Sequence, residues 1–167
     1  AGITVLGGDP TASDTLIVNG KVAGVLTVNT GTRQITNAEP VPVTYGTDVE
    51  ALTVVEGLST GLSVSGSTDY TVNTLAAADE GVILTDTVPI TFLGYGSGDT
   101  ITLDGTDDLT VNGTDADDAF TVIAATGGTD RGNVTIAGRA TIDPKNLTDL
   151  TLGGFAGDDT FSIAAGH

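Results

Sequence analysis

Cysteine, methionine and tryptophan are absent from this 167-residue sequence, and histidine occurs once, as His167. Without cysteine there is no disulfide framework, no thiolate metal site and no thiol nucleophile. Without an internal histidine a hydrolytic triad lacks its usual base. Basic residues are scarce: 5 Lys plus Arg stand against 22 Asp plus Glu, a formal net charge of −17. Such a surface repels nucleic-acid backbones and anionic membranes, so no nucleic-acid partner is expected. No run approaches 18 consecutive apolar residues, and nothing resembles a charged segment followed by an apolar signal core. No membrane insertion is expected, and any export signal is taken to be already removed. Aromatics make up only 4% of the chain. Carbohydrate-processing β-helices position basic and aromatic groups along a groove, and this sequence is poor in both, so no enzymatic activity and no catalytic residue are expected. Arg131 and Arg139 read as surface charges or ion-pair partners.

What the sequence does have is Gly (24), Asp (18 of the 22 acids), abundant Thr and 39% hydrophobic residues. Thr suits pleated strands, while Asp and Gly suit the turns between them. A short unit recurs in this material. It is an apolar-Thr-apolar triplet, a Gly-rich turn ending in Asp, and a second triplet that begins eleven residues after the first. Ile90-Thr91-Phe92 leads to Ile101-Thr102-Leu103, Leu109-Thr110-Val111 to Phe120-Thr121-Val122, and Leu150-Thr151-Leu152 to Phe161-Ser162-Ile163. Asp99, Asp118 and Asp159 each sit two residues before the second triplet. Ile3-Thr4-Val5 to Leu16-Ile17-Val18 is a longer copy that keeps Asp14, and Leu52-Thr53-Val54 to Leu62-Ser63-Val64 is a shorter one with Thr60 in the Asp position.

Alternation at period two predicts half-buried strands with Leu, Ile, Val and Phe inward and Thr outward. Only Leu75 to Glu80 hints at a helix, and it is one turn long. Asn37 to Pro42 and Ala124 to Gly132 break the pattern, but triplets resume at once on both sides, so residues 1–167 are expected to form a single β-rich repeat domain. Units similar to one another favour an all-β solenoid, parallel β-helix-like. An antiparallel β-sandwich is the alternative, because seven or more short strands with regular turns read the same way.

The turns Gly94-Tyr95-Gly96-Ser97-Gly98-Asp99, Gly113-Thr114-Asp115-Ala116-Asp117-Asp118 and Gly154-Phe155-Ala156-Gly157-Asp158-Asp159 resemble the hemolysin-type nonapeptide G-G-x-G-x-D-x-U-x. They depart from it in having Tyr95, Thr114 and Phe155 at the second Gly and in being scattered instead of tandem. The resemblance implies Ca²⁺ held by Asp14, Asp99, Asp117, Asp118, Asp158 and Asp159. The competing reading makes these residues turn-formers whose carboxylates accept nearby backbone N–H groups. The phrases Val49-Glu50-Ala51-Leu52-Thr53-Val54 and Leu109-Thr110-Val111-Asn112-Gly113-Thr114 are similar to repeat regions of very large secreted or surface-attached bacterial proteins. That likeness implies an extracellular, cell-surface structural or adhesive module, such as a stalk, filament, surface-layer or adhesin segment. Neither Ile3 nor Ile163 is followed outward by an obvious polar cap, so self-association of copies end to end is expected. The alternative is a calcium-stiffened sandwich that binds carbohydrate or a partner protein through exposed aromatics around Tyr45, Tyr70 and Tyr95.

Overall fold

A strand with apolar residues at every second position buries only one face, so each triplet needs a facing layer. The structure, a computed structural model, describes residues 2–9, 13–37, 41–124, 132–146 and 148–164. It supplies that layer with two sheets, of ten and seven strands. β1 (Ile3–Val5) lies in the larger sheet and β2 (Thr15–Asn19) in the smaller. A meander of β3 (Gly24–Asn29), β4 (Gln34–Thr36) and β5 (Val43–Tyr45) then returns to the larger sheet. β6 (Ala51–Val55) and β7 (Ser59–Ser65) cross to the smaller sheet and back. A second meander, β8 (Tyr70–Thr74), β9 (Glu80–Leu84) and β10 (Ile90–Leu93), occupies the smaller sheet. β11 (Thr100–Asp104) and β12 (Asp108–Asn112) cross again, and β13 (Ala119–Ile123), β14 (Asn133–Ile136) and β15 (Thr141–Lys145) form a third meander in the larger sheet. β16 (Asp149–Gly153) and β17 (Thr160–Ile163) close the order in the smaller and larger sheets respectively.

The chain is all-β, a solenoid of about four turns with parallel stacking. β3, β7, β11 and β15 are parallel neighbours, and their registers align Leu26, Leu62, Ile101 and Ile142 in one column and Val28, Val64, Leu103 and Pro144 in the next. In the facing sheet β2, β6 and β10 stack in parallel, as do β8, β12 and β16. The meanders add antiparallel pairs between these stacks, a feature shared with the sandwich alternative. Every repeat unit read from the sequence is one crossing between the sheets: β1 to β2, β6 to β7, β10 to β11, β12 to β13, and β16 to β17.

The inward residues merge into one hydrophobic cluster between the sheets. Each fully buried Leu, Ile or Val there contributes about 1.5–3 kcal/mol relative to exposure. Tyr45, Tyr70 and Tyr95 belong to this core, all at 2% exposure or less, so they form no surface aromatic cluster. The Tyr70 hydroxyl donates to the Asp104 carbonyl at 3.0 Å, and the Tyr95 hydroxyl lies 3.0 Å from Ser59 Oγ. Burial pushes the Tyr70 phenol up to about 12. No helix forms over Leu75 to Glu80: residues 75–79 link β8 to β9, and Glu80 is the first residue of β9. Arg139 clamps the link, its guanidinium donating to the Leu75 and Ala77 carbonyls at 2.9 Å each. The two pattern-breaking stretches connect β4 to β5 and β13 to β14. Most of their residues, Arg131 among them, and His167 lie outside the described residues.

Candidate functional site

Because the parallel stacks of the two sheets run in opposite senses across the core, the crossings between sheets gather along two edges of the solenoid, where turns of neighbouring coils lie in contact. Gly113 N donates to the Gly153 carbonyl at 2.8 Å on one edge, and Thr106 N donates to the Thr68 carbonyl at 3.2 Å on the other. The six aspartates expected to bind a cation divide among these turns.

Asp117, Asp118, Asp158 and Asp159 are brought together. The turn from β12 to β13 stacks on the turn from β16 to β17, so Asp118 N donates to Asp159 Oδ1 at 2.9 Å and Asp158 N donates to Asp117 Oδ1 at 2.8 Å. Asp118 is buried, and its Oδ2 accepts from Thr114 N at 2.6 Å and Thr114 Oγ1 at 3.0 Å. Asp99 Oδ2 similarly accepts from Gly96 N at 2.9 Å in its own turn. The carboxylates of Asp99, Asp117, Asp118 and Asp159 are thus engaged by N–H groups of their own turn or of the turn stacked on it, side-chain-to-backbone bonding of the kind that shapes turns. Asp99 neighbours Glu56 instead of the other predicted ligands. Burial, together with the charges of Asp99 and Asp79, holds the Glu56 carboxyl above its usual range. Asp14 lies on the opposite edge, where its N–H donates to Glu50 Oε2 at 2.6 Å.

A different acidic group brings three carboxylates close enough together to share an ion. Asp69, Asp107 and Asp108 are exposed, and each places a carboxylate oxygen within 4.8 Å of the others. Parallel pairing puts Asp149 in register with Asp108, and Asp108 N donates to Asp69 Oδ1 at 3.0 Å. Desolvation, then the charges of Asp107, Asp149 and Asp69, raise the Asp108 carboxyl above the ordinary Asp range. Carboxylate oxygens are the donor type that Ca²⁺ prefers, and this corner supplies three such groups, from two consecutive coils, of the roughly six to eight oxygens that the ion takes. The sequence carries a signal for it, a repeated Asp-apolar-Thr-apolar phrase at Asp69-Tyr70-Thr71-Val72, Asp108-Leu109-Thr110-Val111 and Asp149-Leu150-Thr151-Leu152. Attention to the Asp two residues before each second triplet passes over the Asp immediately before the first. Compared with protein-family models, curated proteins and solved structures, the chain matches none of them.

Proposed function

We propose that this protein is a non-enzymatic structural or adhesive module of a bacterial cell surface or extracellular assembly, a segment of a stalk, filament, surface layer or adhesin that associates end to end. The observation that carries the reading is the state of the terminal strand. Phe161 and Ile163 of β17 stand in register with Phe120 and Val122, which are almost fully buried, yet they are themselves 48% and 63% exposed. They have the inward orientation of core residues, and among the described residues no strand pairs with the outer edge of β17. An unpaired strand edge beside such residues is a template for pairing with another chain. The charge of −17 accords with a cation-rich or saline surrounding, where counter-ions screen it. The resemblance of the Asp-bearing turns to calcium-binding repeats supports an extracellular setting.

In this reading Ca²⁺ stiffens the coils by bridging Asp69, Asp107 and Asp108 across two turns. The deciding experiment is light scattering with negative-stain microscopy on the purified chain, in millimolar calcium and then in excess chelator. Ordered multimers are the expected result, and their loss on chelation ties assembly to the acidic corners. A chain that stays monomeric under both conditions overturns the end-to-end reading.

A further inference from the structure

Phe155 is an aromatic side chain that the core does not use. It is 66% exposed, and its backbone holds φ 65°, a left-handed conformation that suits glycine and strains a bulky residue. Strain kept at an exposed aromatic points to a use outside folding. The ring borders a groove that crosses three successive turns on one edge of the solenoid. The link from β8 to β9 contributes Leu75 and Ala76, the crossing from β12 to β13 contributes Thr114, Asp115 and Ala116, and the crossing from β16 to β17 contributes Phe155. The last two turns are stacked so closely that a Cβ on Gly157 would run into the Ala116 carbonyl group. The groove therefore lies on the flank of the stack and belongs to neither of its ends.

The chemistry of the lining selects a cation. Its N–H groups are spent within the protein: Leu75 N donates to the Glu80 carbonyl, Thr114 N to Asp118 Oδ2 and Ala116 N to Thr114 Oγ1. The Thr74 and Thr114 hydroxyls likewise donate to the Asn112 carbonyl and to Asp118 Oδ2. Arg139 spends its guanidinium on the Leu75 and Ala77 carbonyls. None of these donors is offered to an anion. Asp115 stands exposed in the lining, and the exposed Asp117 and Asp158 adjoin it in the stacked turns. An apolar floor with an acidic rim complements a side chain that is apolar along its stem and positive at its tip, which describes Lys and Arg. Their cationic heads also bind the face of an aromatic ring. A second copy of the chain, with 5 basic residues against 22 acidic ones, is the wrong charge for this rim.

We propose that the groove between Leu75, Ala116 and Phe155 docks a Lys- or Arg-bearing segment of a partner protein, with the Phe155 ring as its anchor and Asp115 as its counter-ion. Docking on the flank does not depend on association of copies, so either can fail without the other. The probe is a blocked tetra-arginine peptide, titrated into the full isotope-labelled chain at about 0.1 M salt, where long-range attraction is screened. Amide shifts should concentrate at residues 74–76, 113–116 and 155, and a tetra-glutamine peptide should produce none. Phe155→Ala should weaken binding about three- to thirtyfold, the range of a cation over an aromatic face. Asp115→Asn should weaken it as well, while Asp86→Asn, on the opposite edge, should leave it unchanged. Phe155→Gly, which removes the ring and the strain together, serves if Phe155→Ala unfolds. Shifts spread evenly over the acidic turns, equal affinity with and without the ring, or no binding at all would each overturn the proposal.

Discussion

Phe155 holds a left-handed backbone conformation, φ 65°, that favours glycine, while its side chain is 66% exposed and contributes little to the core. A bulky residue there costs about 1–2 kcal/mol in backbone energy, partly offset by the greater freedom of glycine in the unfolded chain. Phe155→Gly is therefore expected to stabilise the protein by about 0.5–1 kcal/mol in urea denaturation. A loss of stability would mean that the ring makes a contact worth more than the strain. Among the acids the sign depends on surroundings. Asp108 has a raised carboxyl, so ionising it favours the unfolded chain, and its destabilising effect grows as pH rises through the folded value. Asp86, whose carboxylate accepts from Thr68 Oγ1 and Thr68 N, is lowered. It stabilises above the ordinary Asp value and loses that effect as pH falls. Asp108→Asn should raise Tm at pH 7 and Asp86→Asn should lower it, and both changes should shrink once the pH is below the Asp range. Thermal denaturation at the two pH values checks this, and same-sign shifts would contradict it. The sequence exposes Asp99, Asp118 and Asp159 as corner residues, because their spacing from the strands is regular. It does not distinguish a carboxylate that accepts Thr114 N from one that faces a cation, since both need an acid at the end of a Gly-rich turn. Asp69, Asp107 and Asp108 escape for another reason: Asp69 meets the other two only through stacking of coils 39 residues apart.

Strands in the middle of the stack are covered from both sides, and terminal ones from one. Leu62 of β7 has Leu26 and Ile101 as its register partners and is fully buried, whereas Leu150 of β16 has only Leu109 and is partly exposed. Leu62→Ala should cost about 2–5 kcal/mol, since it opens a cavity in a closed core, and Leu150→Ala distinctly less. Hydrogen exchange should follow the same gradient, with β7 and β11 amides opening only in global unfolding and β17 amides opening locally. Uniform protection along the stack would refute this picture. At this scale the sequence is informative about existence and face: the triplets are strands, Thr faces outward, and each Gly-rich turn with its Asp is a crossing between layers. It is silent about partners. Thr71 pairs with Thr110 in parallel on one side and with Leu84 antiparallel on the other, yet all three strands read as the same alternating pattern. Hence the meanders, which interleave with the parallel stacks, were not legible, although the solenoid itself was. The nearest local hint is Gly81, which sits opposite Phe92 across the β9–β10 pair, where any Cβ would run into the ring. Gly81→Ala is expected to cost about 1–3 kcal/mol through overpacking.

For the molecule as a whole, apolar layers hold the coils together while 22 acids against 5 basic side chains push them apart. The two effects differ in range. Burial acts at contact and is indifferent to modest salt, whereas repulsion among exposed carboxylates extends over a Debye length, about 30 Å at 0.01 M ionic strength and about 10 Å at 0.1 M. Raising monovalent salt between those values should therefore raise Tm and favour association, since bringing two such chains together brings like charges together. Screening of this kind depends on ionic strength alone. A cation that bridges Asp69, Asp107 and Asp108 gives more, because it binds the folded chain and is released when the coils separate. At matched ionic strength calcium should then exceed sodium in its effect on Tm, and Asp108→Asn should remove the excess while keeping the response to sodium. Equal responses to the two salts would reduce the acidic corners to turn-formers with a diffuse counter-ion cloud. The end-to-end assembly would then rest on Phe161, Ile163 and the free edges of β16 and β17 alone.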